Sequence, residues 1–120
     1  MAATITVTDV DVTLNKIIVQ GSIALTGNYG GGATNGDTLS FAGTDLIKSN
    51  SVPTVVDIYE APPAGTAPNG YIFSFCPGTT MANGVLTILN NLTEYTQGSA
   101  YSAGLLTAVV RFWAEFPIFQ

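Results

Sequence analysis

The residues able to do chemistry in this 120-residue chain are few. Histidine is absent, so acid–base work near neutral pH would fall to a tuned carboxylate or lysine. A Ser or Cys nucleophile needs a base beside it. The single Cys76 follows the apolar run Tyr71 to Phe75 and precedes Pro77 and Gly78, a setting that predicts a buried, inert thiol. Asp57, Glu60, Glu94 and Glu115 are the candidates for a glycosidase-type carboxylate pair, and their spacing singles out no pair. Asp9 and Asp11 project from one side of an extended segment and offer the oxygen ligands that Ca²⁺ takes. Without an Asp-rich loop and a distal Glu, the plainer reading is protection of a strand edge. Gly30-Gly31-Gly32 lacks the Lys and Ser/Thr of a phosphate loop and reads as a flexible loop tip. Asn91-Leu92-Thr93 matches a glycosylation acceptor, with no secretory signal beside it. The expectation is a chain with no enzymatic activity, no catalytic residue, no cofactor and no metal.

Composition narrows the class further. Hydrophobic residues make up 47% of the chain, far more than a disordered tail carries, so the chain should fold. Its length suits one domain, 1–120, with an expected radius of gyration of about 14 Å. Only 9% of residues are charged, against roughly 25% in ordinary soluble domains. Lys16, Lys48 and Arg111 cannot build a phosphate-neutralising surface, and the net charge of −5 disfavours anionic membranes. Neither nucleic acid nor membrane is expected as a partner. Met1 to Val12 alternates Thr with Ile or Val and lacks a secretory signal's basic start and apolar run, so synthesis in the cytoplasm is expected. The apolar tract Ala103 to Val110 is too short for a spanning helix of about 20 residues.

Stepping along the chain, apolar residues recur at spacing two, the period of strands that bury one face. Strands are expected over Thr4 to Thr8, Val19 to Leu25, Thr38 to Phe41, Thr54 to Tyr59, Tyr71 to Cys76, Val85 to Leu89 and Ala108 to Phe116. Asn35-Gly36, Asn69-Gly70 and Asn83-Gly84 suit the positive φ angles of tight turns. Pro62, Pro63, Gly65 and Pro68 mark a long loop, and a short helical turn is expected near Ala103 to Leu106. The fold class is all-β: a single-domain β-sandwich or small barrel of about seven short antiparallel strands with long loops. Residues 1–8, rich in β-branched side chains, are a candidate N-terminal arm able to add to a neighbouring sheet edge, Ile5 and Val7 making its contacts; pairing within its own domain is the plainer alternative.

So few charges on so apolar a chain imply that partners cover part of the surface. In the last strand Val110, Phe112, Ala114 and Phe116 share one face, so Arg111, Trp113 and Glu115 point the other way. A Trp flanked by charges is either an interface anchor or a ring covered by the domain's own loops. Tyr29, Tyr95 and Tyr101 are loop aromatics that either make contacts or pin their loops.

An ordered series of short signatures carries a resemblance. Val19-Gln20-Gly21-Ser22-Ile23, Thr26-Gly27-Asn28-Tyr29, Gly36-Asp37-Thr38-Leu39-Ser40-Phe41, Pro77-Gly78-Thr79 with Asn83-Gly84, Ala100-Tyr101 with Ala103-Gly104, and Arg111-Phe112-Trp113-Ala114-Glu115-Phe116-Pro117 resemble small virion structural proteins of tailed bacteriophages. The likeness spans nearly the whole chain and rests mostly on turns and strand ends. It departs in a Gly-rich extension at Gly30 to Thr34, and in Leu106-Thr107 where relatives tend to have a Gly-Asp turn. The nearest role it implies is a capsid decoration, or cement, protein. It further implies the virion capsid surface as location, the major capsid protein as partner, and a homo-oligomer, a trimer at threefold positions. A tail or neck component of the same virion and a carbohydrate-binding β module are the competing roles.

Overall fold

A computed structural model of the chain describes residues 3–30, 36–42, 52–67, 69–90, 93–94, 100–107 and 109–117. Among them run β1 (Ala3–Val12), β2 (Lys16–Leu25), β3 (Asp37–Leu39), β4 (Val55–Glu60), β5 (Tyr71–Cys76), β6 (Gly84–Asn90), the two-residue β7 (Thr93–Glu94), a single helical turn α1 (Ala103–Thr107) and β8 (Val110–Pro117). The chain is all-β. One antiparallel sheet has the order β1-β2-β8-β4; the other has β3-β6-β5, with β7 also pairing β6. The two face each other as a sandwich, each burying one face of its strands against the other.

Alternation decides which side chains fill it. In β2 the residues Ile17, Val19, Gly21, Ile23 and Leu25 are buried, while Lys16, Gln20 and Ala24 are exposed. In β8 Val110, Phe112, Ala114 and Phe116 are buried, as the spacing requires. From the opposite sheet Leu86 and Ile88 of β6 and Phe73 of β5 close the core.

Phe41 joins the layers. The expected strand Thr38 to Phe41 is shorter, and Phe41 lies just beyond its end, its N–H donating to the Met81 carbonyl at 2.9 Å. Freed from the ladder, its ring is fully buried and meets three others edge-on: Phe112 and Phe116 of β8, each at 5.4 Å between centroids, and Phe75 of β5 at 5.7 Å. Two glycines make room for this packing. A Cβ at Gly21 would fall on the Thr6 carbonyl and within 2.8 Å of the Phe112 ring, and one at Gly84 would overlap the Phe75 ring. Gly84 has no positive φ, so Asn83-Gly84 is not the turn its dipeptide suggested. Gly84 is there for space, and Asn83 ties the turn through its side chain, accepting the Thr80 N–H at 2.9 Å and donating to Thr79 Oγ1 at 2.8 Å. Asn69-Gly70 does match, with Gly70 at φ 86.

Strand β1 carries one irregularity with large effect. Ile5 faces Ile23 and Val7 faces Gly21, but the register then slips so that Asp9 faces Gln20 and Val10 faces Val19, leaving Thr8 as the extra residue of a bulge. Strict alternation from Val7 would have aimed Asp9 and Asp11 at the core; the slip turns them outward and sends Val10 in. From Ala3 on, the candidate arm pairs with β2 inside its own domain, where Ile5 and Val7 pack against the core.

Truncating the ring that joins the layers should be costly. Phe41→Ala is expected to lose about 3–5 kcal/mol of stability, the range for a buried Phe, read as a fall in the chemical-denaturation midpoint. A loss near the roughly 0.5 kcal/mol of a surface substitution would show that the sheets hold together without it.

Candidate functional site

The inner face of the four-stranded sheet is used up by the core, so its outer face is what that sheet can present. Register places the outward residues in rows. Asp9, Gln20, Trp113 and Asp57 lie side by side across β1, β2, β8 and β4; Thr6, Ser22, Arg111 and Tyr59 form the next row, and Asp11, Ile18, Glu115 and Val55 the one on the other side. Trp113 is half-buried among these neighbours, Arg111 is exposed, and Tyr59 and Val55 are 41% and 43% exposed. Glu115 is mostly covered and holds Lys16 at 2.6 Å across β2 and β8. Trp113, Arg111 and Glu115 thus share one surface, as their alternation requires.

Four other candidates do not join them. Tyr29 and Tyr101 are buried, their rings edge-to-face at 6.3 Å, and the Tyr29 hydroxyl accepts the Ile88 N–H at 3.1 Å. They are core residues and cannot touch a partner. A bridge between Asn28 and Ala100, with the Tyr101 N–H donating to the Gly27 carbonyl at 3.3 Å, draws the two loops together and seals both rings inside. Ile5 and Val7 face inward from β1 and are not available as arm contacts.

Cys76 corrects another expectation, because it is exposed. It has the outward parity of Ile72 and Ser74, while Phe73 and Phe75 point in, so the apolar run around it says nothing of its own facing. Glu60 is a structural acceptor, taking the Asn69 N–H at 3.0–3.1 Å and its Nδ2 at 2.8 Å, which pins the start of the Asn69-Gly70 turn. Among the described residues no three of Cys, Asp and Glu come close enough to hold a metal ion. Gly31, Gly32, Lys48, Asn91, Leu92 and Tyr95 lie outside the described residues, as does the Glu94 side chain.

Asp37 was not singled out by the sequence, yet it is the buried charged residue of the described chain, 3% exposed at the start of β3. The Gly30 N–H donates to its Oδ1 at 2.5 Å, while Oδ2 has no partner among the described residues. Burial raises its carboxyl above the ordinary 3.8, partly offset by the Gly30 hydrogen bond. The contact ties the Tyr29-Gly30 segment to β3. A groove of about 460 Å³ between the end of β2 and α1 is lined by Ala24, Leu25, Leu105, Leu106 and Val109, with no titratable group.

The chain matches no family model, no curated protein and no solved structure.

Two expectations follow from these placements. With its folded-state pKa above the unfolded value, Asp37 contributes stability that is full below pH 3.8 and lost as pH rises through the folded value. Asp37→Asn should flatten that part of the pH–stability curve while keeping an acceptor for Gly30; an unchanged curve would show that Asp37 does not set it. Cys76 should react with a maleimide in the native protein without denaturant, and protection until unfolding would contradict its exposed position.

Proposed function

We propose that this chain is a non-enzymatic virion structural protein, a decoration protein that binds the outer surface of a tailed-phage capsid and bridges major capsid subunits. What supports this reading is the outward face of the four-stranded sheet, a surface centred on half-buried Trp113 and built on strands whose other side is core. The likeness of the strand and turn signatures to phage virion proteins supplies the partner class.

Such a protein acts by binding across subunit junctions, with no reaction. Roughly 800 Å² buried on each partner makes a standard stable contact, and a ligand that binds only the assembled shell raises the cost of taking it apart. Sparse charge suits this role, since few groups must be stripped of water on docking. A β-sandwich also needs no cofactor to keep its shape. The chain would work as a homo-oligomer, a trimer at threefold positions, with the number three resting on the resemblance.

Trp113→Ala should weaken attachment to capsids by about 2 kcal/mol or more, the threshold of an interface hot spot, with little change in melting temperature. Phe112→Ala, facing inward on the same strand, should instead unfold the domain. Co-sedimentation with capsids and a thermal melt of each variant read the two effects; binding to tails or to a polysaccharide instead of capsids would replace the decoration reading. Sedimentation of the free protein as a monomer at tens of micromolar, together with single copies on particles, would remove the oligomer.

A further inference from the structure

The outward face of the four-stranded sheet is unevenly charged. In its central row Trp113 sits beside Asp57 of β4, with Asp9 two strands away on the other side, about 10 Å off at the usual strand spacing. Asp9, Asp11 and Asp57 are exposed and have no ion-pair or hydrogen-bonding side-chain partner among the described residues. Glu115 is already neutralised by Lys16, which leaves Arg111 as the unpaired cation of this face among the described residues. Among the described residues, three free carboxylates against one guanidinium leave a surplus of two negative charges on the face that bears Trp113.

Building on the capsid-decoration reading, we infer that this face docks a basic segment of its protein partner, an Arg or Lys stacking on the Trp113 ring with Asp57 and Asp9 pairing the cationic side chains around it. A cation within about 6 Å of an indole face is attracted by the ring quadrupole, and Trp is the strongest of the aromatic partners. A planar guanidinium stacks on the ring and still directs its N–H groups to a neighbouring carboxylate. The bulge at Thr8 is what makes this possible on the β1 side, since it turns Asp9 and Asp11 outward. A second copy is the poorer occupant: the whole chain has three basic residues against eight acidic ones, and Lys16 is already engaged. An anionic ligand would be repelled by the same face.

The test uses the full chain and capsids, stripped of it, of the phage that encodes it. Trp113 is the single tryptophan, so its emission reports contact at this face directly. Wild-type attachment should weaken by about tenfold or more between about 0.05 M and about 0.5 M salt, where exposed charges become screened. The double variant Asp9→Asn, Asp57→Asn should bind about tenfold more weakly at low salt and lose most of the salt dependence, with an unchanged melting temperature. Attachment that ignores both salt and the double substitution would overturn the basic-partner inference while the decoration role stands. Failure of the wild type to attach at either salt would overturn both. Self-association of the free protein that disappears in Trp113→Ala would assign the face to a second copy and overturn the inference as well.

Discussion

The three edge-on contacts of the Phe41 ring fix the rest of the molecule. Each such aromatic pair is worth roughly 0.5–1.5 kcal/mol beyond the area it buries, and here one ring serves both layers of a sandwich whose sheets stand about 10 Å apart. Two partners, Phe112 and Phe116, come from β8, so the parity of that strand is not free. With Phe112 and Phe116 held inward, Arg111, Trp113 and Glu115 must face outward. The outer platform is therefore a consequence of the core. Gly21 and Gly84 belong to the same constraint, because a side chain at either would displace one of the rings that Phe41 meets.

A second constraint acts on the edge. Strand β1 lies at the end of its sheet, where unpaired backbone invites association with other strands. Its bulge both disrupts that edge and reverses the facing of the residues after it. Val10 is thereby kept for the core, and two carboxylates join the platform instead of being buried at heavy cost. One slipped residue thus sets the electrostatic character of a face whose apolar centre is set from the far side of the sheet.

Much of this was legible in the alternation of residue types. The facing of β8 and β2 follows from period two, and strand β5 lies over Tyr71–Cys76, as the sequence pattern required. Where structure and sequence pattern part, the physical causes differ. Tyr29 and Tyr101 stood in segments with no strand pattern, and what buries them is a pairing across 72 residues of chain, Asn28 with Ala100, which no local window contains. The apolar neighbours of Cys76 along the chain suggest burial, whereas its parity in β5 places it outward. The bulge did leave a trace: Ile5 and Val7 keep one phase and Val10 and Val12 the other, a shift that strict alternation cannot produce. Asp37 left none, since its burial depends on Gly30 being folded back onto β3.

We propose that an aromatic core orients the sheet so that its Trp113 face meets the capsid. A reconstruction of the intact phage particle, at a resolution that traces side chains, tests it most directly. Density for this sandwich is expected on the outer capsid surface, across junctions between major capsid subunits, with the face bearing Trp113 turned toward them and basic side chains against the indole. Finding the domain in the tail or neck, absent from the particle, or seated on the capsid with Trp113 facing solvent would contradict it.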